Sequence, residues 1–122
     1  MFDHITFGVS DMERAIAFYD RALAPLGIRR LYDGDDGVRV TAYGHDRPRF
    51  WLAAHDPTRG KFHVAFTAGD ESAVDAFHRE ALAAGGVDNG APGPRPHYHP
   101  GYYGAFALDP DGHNIEAVFY RT

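Results

Sequence analysis

The sequence predicts an α+β fold built as two tandem βαβββ modules, and three observations carry that prediction. The chain repeats itself. Sliding it by about 59 residues brings His4 onto His63, Phe7 onto Phe66, Asp11 onto Asp70 and Ala17-Phe18 onto Ala76-Phe77. Ala22-Leu23-Ala24 falls on Ala81-Leu82-Ala83 and Gly27 on Gly86, so about nine of some 24 consecutive positions are identical. Each copy also opens with a strand of alternating polarity that runs into an amphipathic helix. Finally, each helix precedes three short segments separated by turn chemistry. Module one spans residues 1–54, a linker 55–61 and module two 62–122, which together read as one domain.

The first strand is FDHITFGVS, residues 2–10, with Ile5, Phe7 and Val9 on one face and His4, Thr6 and Gly8 on the other. Ser10 and Glu13 have the spacing of a capping box. Ala15, Ile16, Tyr19, Leu23 and Leu26 follow at helical spacing, so a helix is expected over 11–24, closed by Pro25 and Gly27. A strand over 28–32 leads to Asp33-Gly34-Asp35-Asp36-Gly37, a hairpin turn rich in residues that accept positive φ. The returning strand covers 38–43, a turn 44–48, and a fourth strand 49–54.

Module two repeats the order. A strand over 62–67 precedes a helix over 70–84, whose apolar side carries Val74, Phe77, Ala81 and Leu82 and whose stop is Gly85-Gly86. Pro92, Pro94, Pro96 and Pro100 exclude a central strand over most of 87–100, so a short edge strand is expected there, then a loop bearing His97, Tyr98 and His99. Strands over 102–108 and 114–120 flank the tight turn Asp109-Pro110-Asp111-Gly112.

Composition narrows the function classes. The chain has 122 residues, is 44% hydrophobic and 14% aromatic, and carries a net charge of −5. That is enough apolar material for a core. Without a basic run, neither nucleic acid nor an anionic membrane is expected as a partner. The absence of cysteine excludes disulfides, thiolate metal sites and a cysteine nucleophile, and fits a reducing cytoplasm. With no secretory h-region and no long apolar run, the chain is expected to stay where it is made.

Strand alternation sorts the sheet into two faces. One phase is Ile5, Phe7, Val9; Phe62, Val64, Phe66; and Ile115, Ala117, Phe119, which should pack under the helices. The other holds His4, Thr6, Gly8; His63, Ala65, Thr67; and Asn114, Glu116, Val118, joined by Trp51 and Phe106. This second face is too polar for a core and reads as the lining of a cup. On it, His4, His63 and Glu116 form a two-imidazole, one-carboxylate set suited to a divalent metal with open positions. Tyr102 or His99, at the rim, would handle a proton. The loop with His97 and Tyr98 has an alternative reading as a subunit contact. Thr6, Thr67 and Asn114 can hydrogen-bond a substrate or merely satisfy strand edges, and Trp51 is a pocket wall or part of the core. His45, His55, His78 and His113 read as surface or turn residues.

The two βαβββ modules, the histidine opening each, and the closing segment Asp109-Pro110-Asp111-Gly112-His113-Asn114-Ile115-Glu116 resemble the vicinal oxygen chelate superfamily. This group includes glyoxalase I, extradiol dioxygenases, methylmalonyl-CoA epimerase, fosfomycin-resistance transferases and bleomycin-resistance proteins. The resemblance implies a cupped mixed β-sheet, a homodimer with paired sheets, and one divalent metal ion: iron, zinc, nickel, manganese or cobalt. His4, His63 and Glu116 match the family's first, third and fourth ligand positions. Trp51, or a neighbour in Phe50-Trp51-Leu52, falls at the second, where glyoxalase I usually has a carboxylate; with Trp51 there three ligands are implied, as in the dioxygenases and the fosfomycin group. His4-Ile5-Thr6 matches the His-x-Thr of the fosfomycin enzymes, whereas Pro96-His97-Tyr98-His99-Pro100-Gly101 replaces their serine-rich loop. The implied activity is metal-dependent lyase/isomerase or dioxygenase chemistry, with a small substrate chelated through neighbouring oxygens so that an enolate or oxyanion is stabilised. The alternative is metal-free binding of a small drug, as in bleomycin-resistance proteins.

Overall fold

A computed structural model describes residues 1–35, 37–60 and 62–122. Strand β1, Ile5–Gly8, leads into helix α1, Met12–Leu23. The helix is capped by Asp11, whose carboxylate accepts from the Arg14 amide at 3.2 Å. The cap is thus one residue later than the predicted Ser10–Glu13 box. Ser10 is drawn away because its amide and hydroxyl both donate to Asp111, across the module boundary. A 3₁₀ turn, Ala24–Leu26, ends the helix, and Gly27 follows at φ +75°, a left-handed conformation that favours glycine.

Strands β2 (Arg29–Asp35), β3 (Arg39–Gly44) and β4 (Phe50–Ala53) complete module one. β2 outlasts its predicted end at residue 32. Asp33, Gly34 and Asp35 pair with Thr41, Val40 and Arg39, and Asp33 also binds the Arg30 and Arg39 guanidinium groups. Of the predicted turn, Asp36 lies outside the described residues, as does Lys61 of the predicted linker.

Module two consists of β5 (His63–Thr67), α2 (Glu71–Ala83), β6 (Val87–Pro94), β7 (Tyr102–Leu108) and β8 (Asn114–Tyr120). Asp70 caps α2 as Asp11 caps α1. β6 is longer than the short strand expected from its prolines. It lies at the sheet edge, where Pro92 and Pro94 are tolerated, and its pairing with β7 slips around Gly90.

Two four-stranded mixed sheets result, ordered β1-β4-β3-β2 and β5-β8-β7-β6. In each, the first strand runs parallel to the last and the remaining pairs are antiparallel. The two helices share one core with the helix-facing phases of both sheets. Phe7, Val9, Ile115 and Ala117 are buried there, and Ile5, Phe62, Val64, Phe66 and Phe119 pack against it from the margin, as the alternation predicts. Aromatic contacts stitch the seam between modules: ring centroids are 4.5 Å apart for Phe7–Phe62 and 5.2 Å for Phe50–Phe66. Among the described residues, no helix covers the opposite sheet faces. No helix of the described residues is long and apolar enough to cross a membrane.

Candidate metal centre

The uncovered face of the second sheet holds a preformed donor pair. Parallel pairing of β5 with β8 sets Ala65 beside Glu116 and His63 beside Asn114, so His63 and Glu116 lie one strand and two residues apart on the same face. The Glu116 side chain is only 2% exposed, whereas His63 is 42% exposed. His63 Nδ1 sits 3.0 Å from the Asn114 carbonyl oxygen, which can only accept. That nitrogen therefore carries the proton of the neutral ring, and Nε2 presents a lone pair. Nε2 faces Glu116 Oε1 at 2.9 Å. Two acceptors turned toward one another call for a cation, either a proton or a metal ion. One imidazole lone pair and one carboxylate fit a divalent ion of borderline hardness.

Three groups hold this pair in place. Tyr102 donates its hydroxyl to Glu116 Oε2. Burial, followed by that hydrogen bond and the carboxylate's charge, holds the Tyr102 hydroxyl above the ordinary phenol range. Phe106 stacks on the His63 ring at 5.9 Å and 28°. Gly104 leaves the space that Glu116 occupies; a Cβ there would lie 3.1 Å from Glu116 Oε2 and 3.0 Å from the Tyr102 ring.

The other sequence-predicted residues are placed as follows. His4 is exposed, just ahead of β1, and its Nδ1 pairs with Asp3 at 2.8 Å. Among the described residues, no three His, Asp or Glu side chains are grouped to hold one ion, so His4 does not join His63 and Glu116 within a chain. Trp51 is half-buried between His4 (6.4 Å) and Tyr32 (5.4 Å), outside the core cluster. Thr6 and Thr67 are exposed. The Asn114 side chain accepts from Asn89, and its carbonyl anchors His63. His99 lies at the rim, with Nδ1 2.7 Å from the Pro100 carbonyl and its ring edge-on to Tyr120. Tyr98, Tyr102 and Tyr120 make an aromatic wall beside it.

Two residues escaped the sequence reading. His113, read as a surface or turn residue, is 2% exposed. It packs 4.7 Å from the Phe7 ring, because the turn that carries it folds under module one. Arg95 lies over Phe106, its guanidinium carbon 5.7 Å from the ring centroid, and donates to the Gly93 and Ala91 carbonyls. No carboxylate of the described residues pairs with it. Gly90 and Gly93 make room for it, since a Cβ at either would lie 3.3 Å from a guanidinium nitrogen. The available sequence signal was an arginine between prolines with glycines two and five residues earlier.

Comparison with known proteins finds relatives of this fold. A family model described as the Glyoxalase/Bleomycin resistance protein/Dioxygenase superfamily matches residues 1–117. Metallothiol transferase FosB of Shouchella clausii is 32% identical over 93% of this chain and 76% of its own length. The crystal structure of a glyoxalase/bleomycin resistance protein from Albidiferax ferrireducens superposes with a TM-score of 0.79 at 29% identity, covering 97% of each chain. A glyoxalase I mutant from Zea mays gives a TM-score of 0.70 at 23% identity over 96% of this chain and 43% of its own, a likeness of fold.

Proposed function

The chain belongs to the Glyoxalase/Bleomycin resistance protein/Dioxygenase superfamily, and from that premise we propose that it is a small divalent-metal-dependent enzyme acting on an oxygenated small molecule. The reading rests on one observation: the Nδ1–H of His63 is fixed on a backbone carbonyl, so Nε2 and the buried Glu116 carboxylate point at a common position. His63 and Glu116 hold the ion, and His4 of a second copy of this chain supplies the third ligand in a homodimer. His4 and His63 flank a groove of about 660 Å³ between β1 and β5 that a partner would cover.

When bound, the metal supplies Lewis acidity to neighbouring substrate oxygens. The chain's own residues do the rest. Phe106 and the tyrosine wall exclude water from one side, and Trp51 of the second copy, beside its His4, does so from the other. Arg95 offers fixed positive charge for an anionic group on the substrate. Tyr102, whose hydroxyl resists ionisation, keeps its proton and donates it as a hydrogen bond. Rim residue His99 is placed to exchange a proton with solvent. Lyase, isomerase and ring-cleaving oxygenase reactions use such a centre, and the name of the Shouchella relative adds thiol transfer to that set. The work is expected to take place in the cytoplasm.

The decisive experiment is elemental analysis of protein purified without an affinity tag, comparing wild type with His63→Ala. About one divalent ion per chain, lost in the variant, is expected. Protein that takes up no metal even after reconstitution overturns the reading. It would favour a metal-free binding protein of the bleomycin-resistance type, in which a proton closes the His63–Glu116 pair.

A further inference from the structure

The outer strand of the second sheet breaks its pairing beside an Asn-Gly step. Asp88 pairs with Ala107 and Gly90 with Phe106, but the register slips between them, and Asn89 falls in the slip. Asn89 is exposed and lies at the sheet edge. Gly90 follows at φ +153°, and a Cβ there would lie 2.9 Å from the Phe106 ring. The Gly90 amide is therefore unshielded by any side chain of its own. It donates to the Asp88 carboxylate at 2.9 Å. That contact, then His78 at 2.9 Å, hold the Asp88 carboxyl below its ordinary range, so it is an ionised acceptor at neutral pH.

These groups are the parts of an intramolecular reaction. As the Gly90 nitrogen bonds to the side-chain carbonyl carbon of Asn89, its proton passes to Asp88. The bond from that carbon to Nδ2 breaks, and ammonia leaves with the transferred proton. Water then opens the cyclic imide at either carbonyl, leaving aspartate or isoaspartate at position 89. Asn114, the chain's other asparagine, lacks these parts. It precedes the β-branched Ile115, fully buried in a strand paired on both sides.

The change would be felt on the open face of the sheet. Asn89 Nδ2 donates to Asn114 Oδ1 at 3.1 Å, and the Asn114 carbonyl anchors His63. A carboxylate at position 89 only accepts, so it repels Asn114 Oδ1. Isoaspartate also lengthens the backbone just ahead of Gly90 and Gly93, the glycines that make room for Arg95.

We propose that Asn89 is a self-modification site, deamidated with the help of Asp88, and that its conversion releases Asn114 and loosens the seat of Arg95 as the protein ages. The covalent step does not depend on the metal reading, because neither His63 nor Glu116 takes part in it.

Intact-mass analysis of the whole chain, held at pH 8.5 and 37 °C and followed by peptide mapping, tests the site. A gain of about 1 Da located at residue 89 is expected. The gain should be about tenfold slower or more in Asp88→Ala, an exposed position. The same chain unfolded in urea should also gain mass more slowly than the folded chain. No gain, a gain at Asn114, or an undiminished rate in Asp88→Ala or in urea overturns the proposal. In the aged protein, amide exchange should rise about threefold or more at Gly90 and Gly93, with β3 unchanged. Exchange unaltered at those glycines overturns the loosening.

Discussion

Module one and module two place the same side chain at the same point of the same scaffold, yet they make different sites of it. His4 and His63 are equivalent by the repeat, and each stands at the entrance of a strand that pairs in parallel with the fourth strand of its sheet. The register then separates them. Beside Ala65 the paired residue is Glu116, whereas beside Thr6 it is Trp51. Module two therefore meets its imidazole with a buried carboxylate, and module one meets its own with an indole edge-on at 6.4 Å. The anchoring differs as well. His63 fixes its Nδ1 on a backbone carbonyl, but His4 points its Nδ1 at Asp3, an exposed neighbour. A duplicated fold supplies two equivalent positions, and one register partner decides which of them meets a buried carboxylate.

The comparison can be broken most forcefully at those register partners. Glu116→Gln should lower affinity for a divalent ion by more than about 100-fold, beyond the loss that follows removal of an outer-shell partner. Trp51→Phe, at the equivalent place, should leave it within about threefold. Chelator competition titrations of the two variants provide the test, and equal losses would dissolve the asymmetry.

The dimer reading sharpens the contrast further. His4→Ala and Glu116→Gln, each deficient alone, should together regain metal when mixed and allowed to exchange subunits, because one centre of each mixed dimer then has all three ligands. Elemental analysis of the mixture recovering no metal would place His4 outside the centre. Tyr102→Phe should weaken metal binding by a smaller factor, about 10- to 100-fold, since it removes a hydrogen bond to the ligand and not the ligand.

The smallest effect lies in module one. The hydroxyls of Tyr19 and Tyr43 are both pushed above the usual phenol range, first by burial, then by Asp109 and Asp20. A group whose proton is held more tightly in the folded state contributes stability below its unfolded value of about 10, and loses it as pH rises through the folded value. Urea midpoints should therefore fall at strongly alkaline pH, and the fall should be shallower in Tyr19→Phe. At neutral pH that variant should cost about 1–3 kcal/mol, because Asp109 loses one of its donors.

Much of this was legible in the sequence because periodicity reports on faces. Alternation in the first and last strands assigned Phe7, Ile115 and Glu116 to their faces, and the helices began and ended within a residue or two of the expected places. What periodicity does not encode is how one module sits on the other. The repeat matched His4 to His63 inside their modules, but the distance between them follows from the docking of two sheets that no strand pairing joins among the described residues. For the same reason Ser10, with good capping chemistry, was claimed instead by Asp111. His113, polar and in a turn, was buried by a neighbour remote in the chain. Arg95 went unseen because a loop has no period, and its position became clear only with Phe106 beneath it.

The outer flanks of the two sheets carry a further consequence, for the solution behaviour of the molecule. An open strand edge is a template on which another chain can extend the sheet without limit. β2 blunts its edge with exposed Arg29, Arg30, Asp33 and Asp35 and a register slip after Arg30. β6 does so with Pro92, Pro94 and two irregularities of its own. The opposite edge strands, Ile5–Gly8 and His63–Thr67, have neither proline nor carboxylate. Open-ended extension of either sheet is thus discouraged at its outer flank.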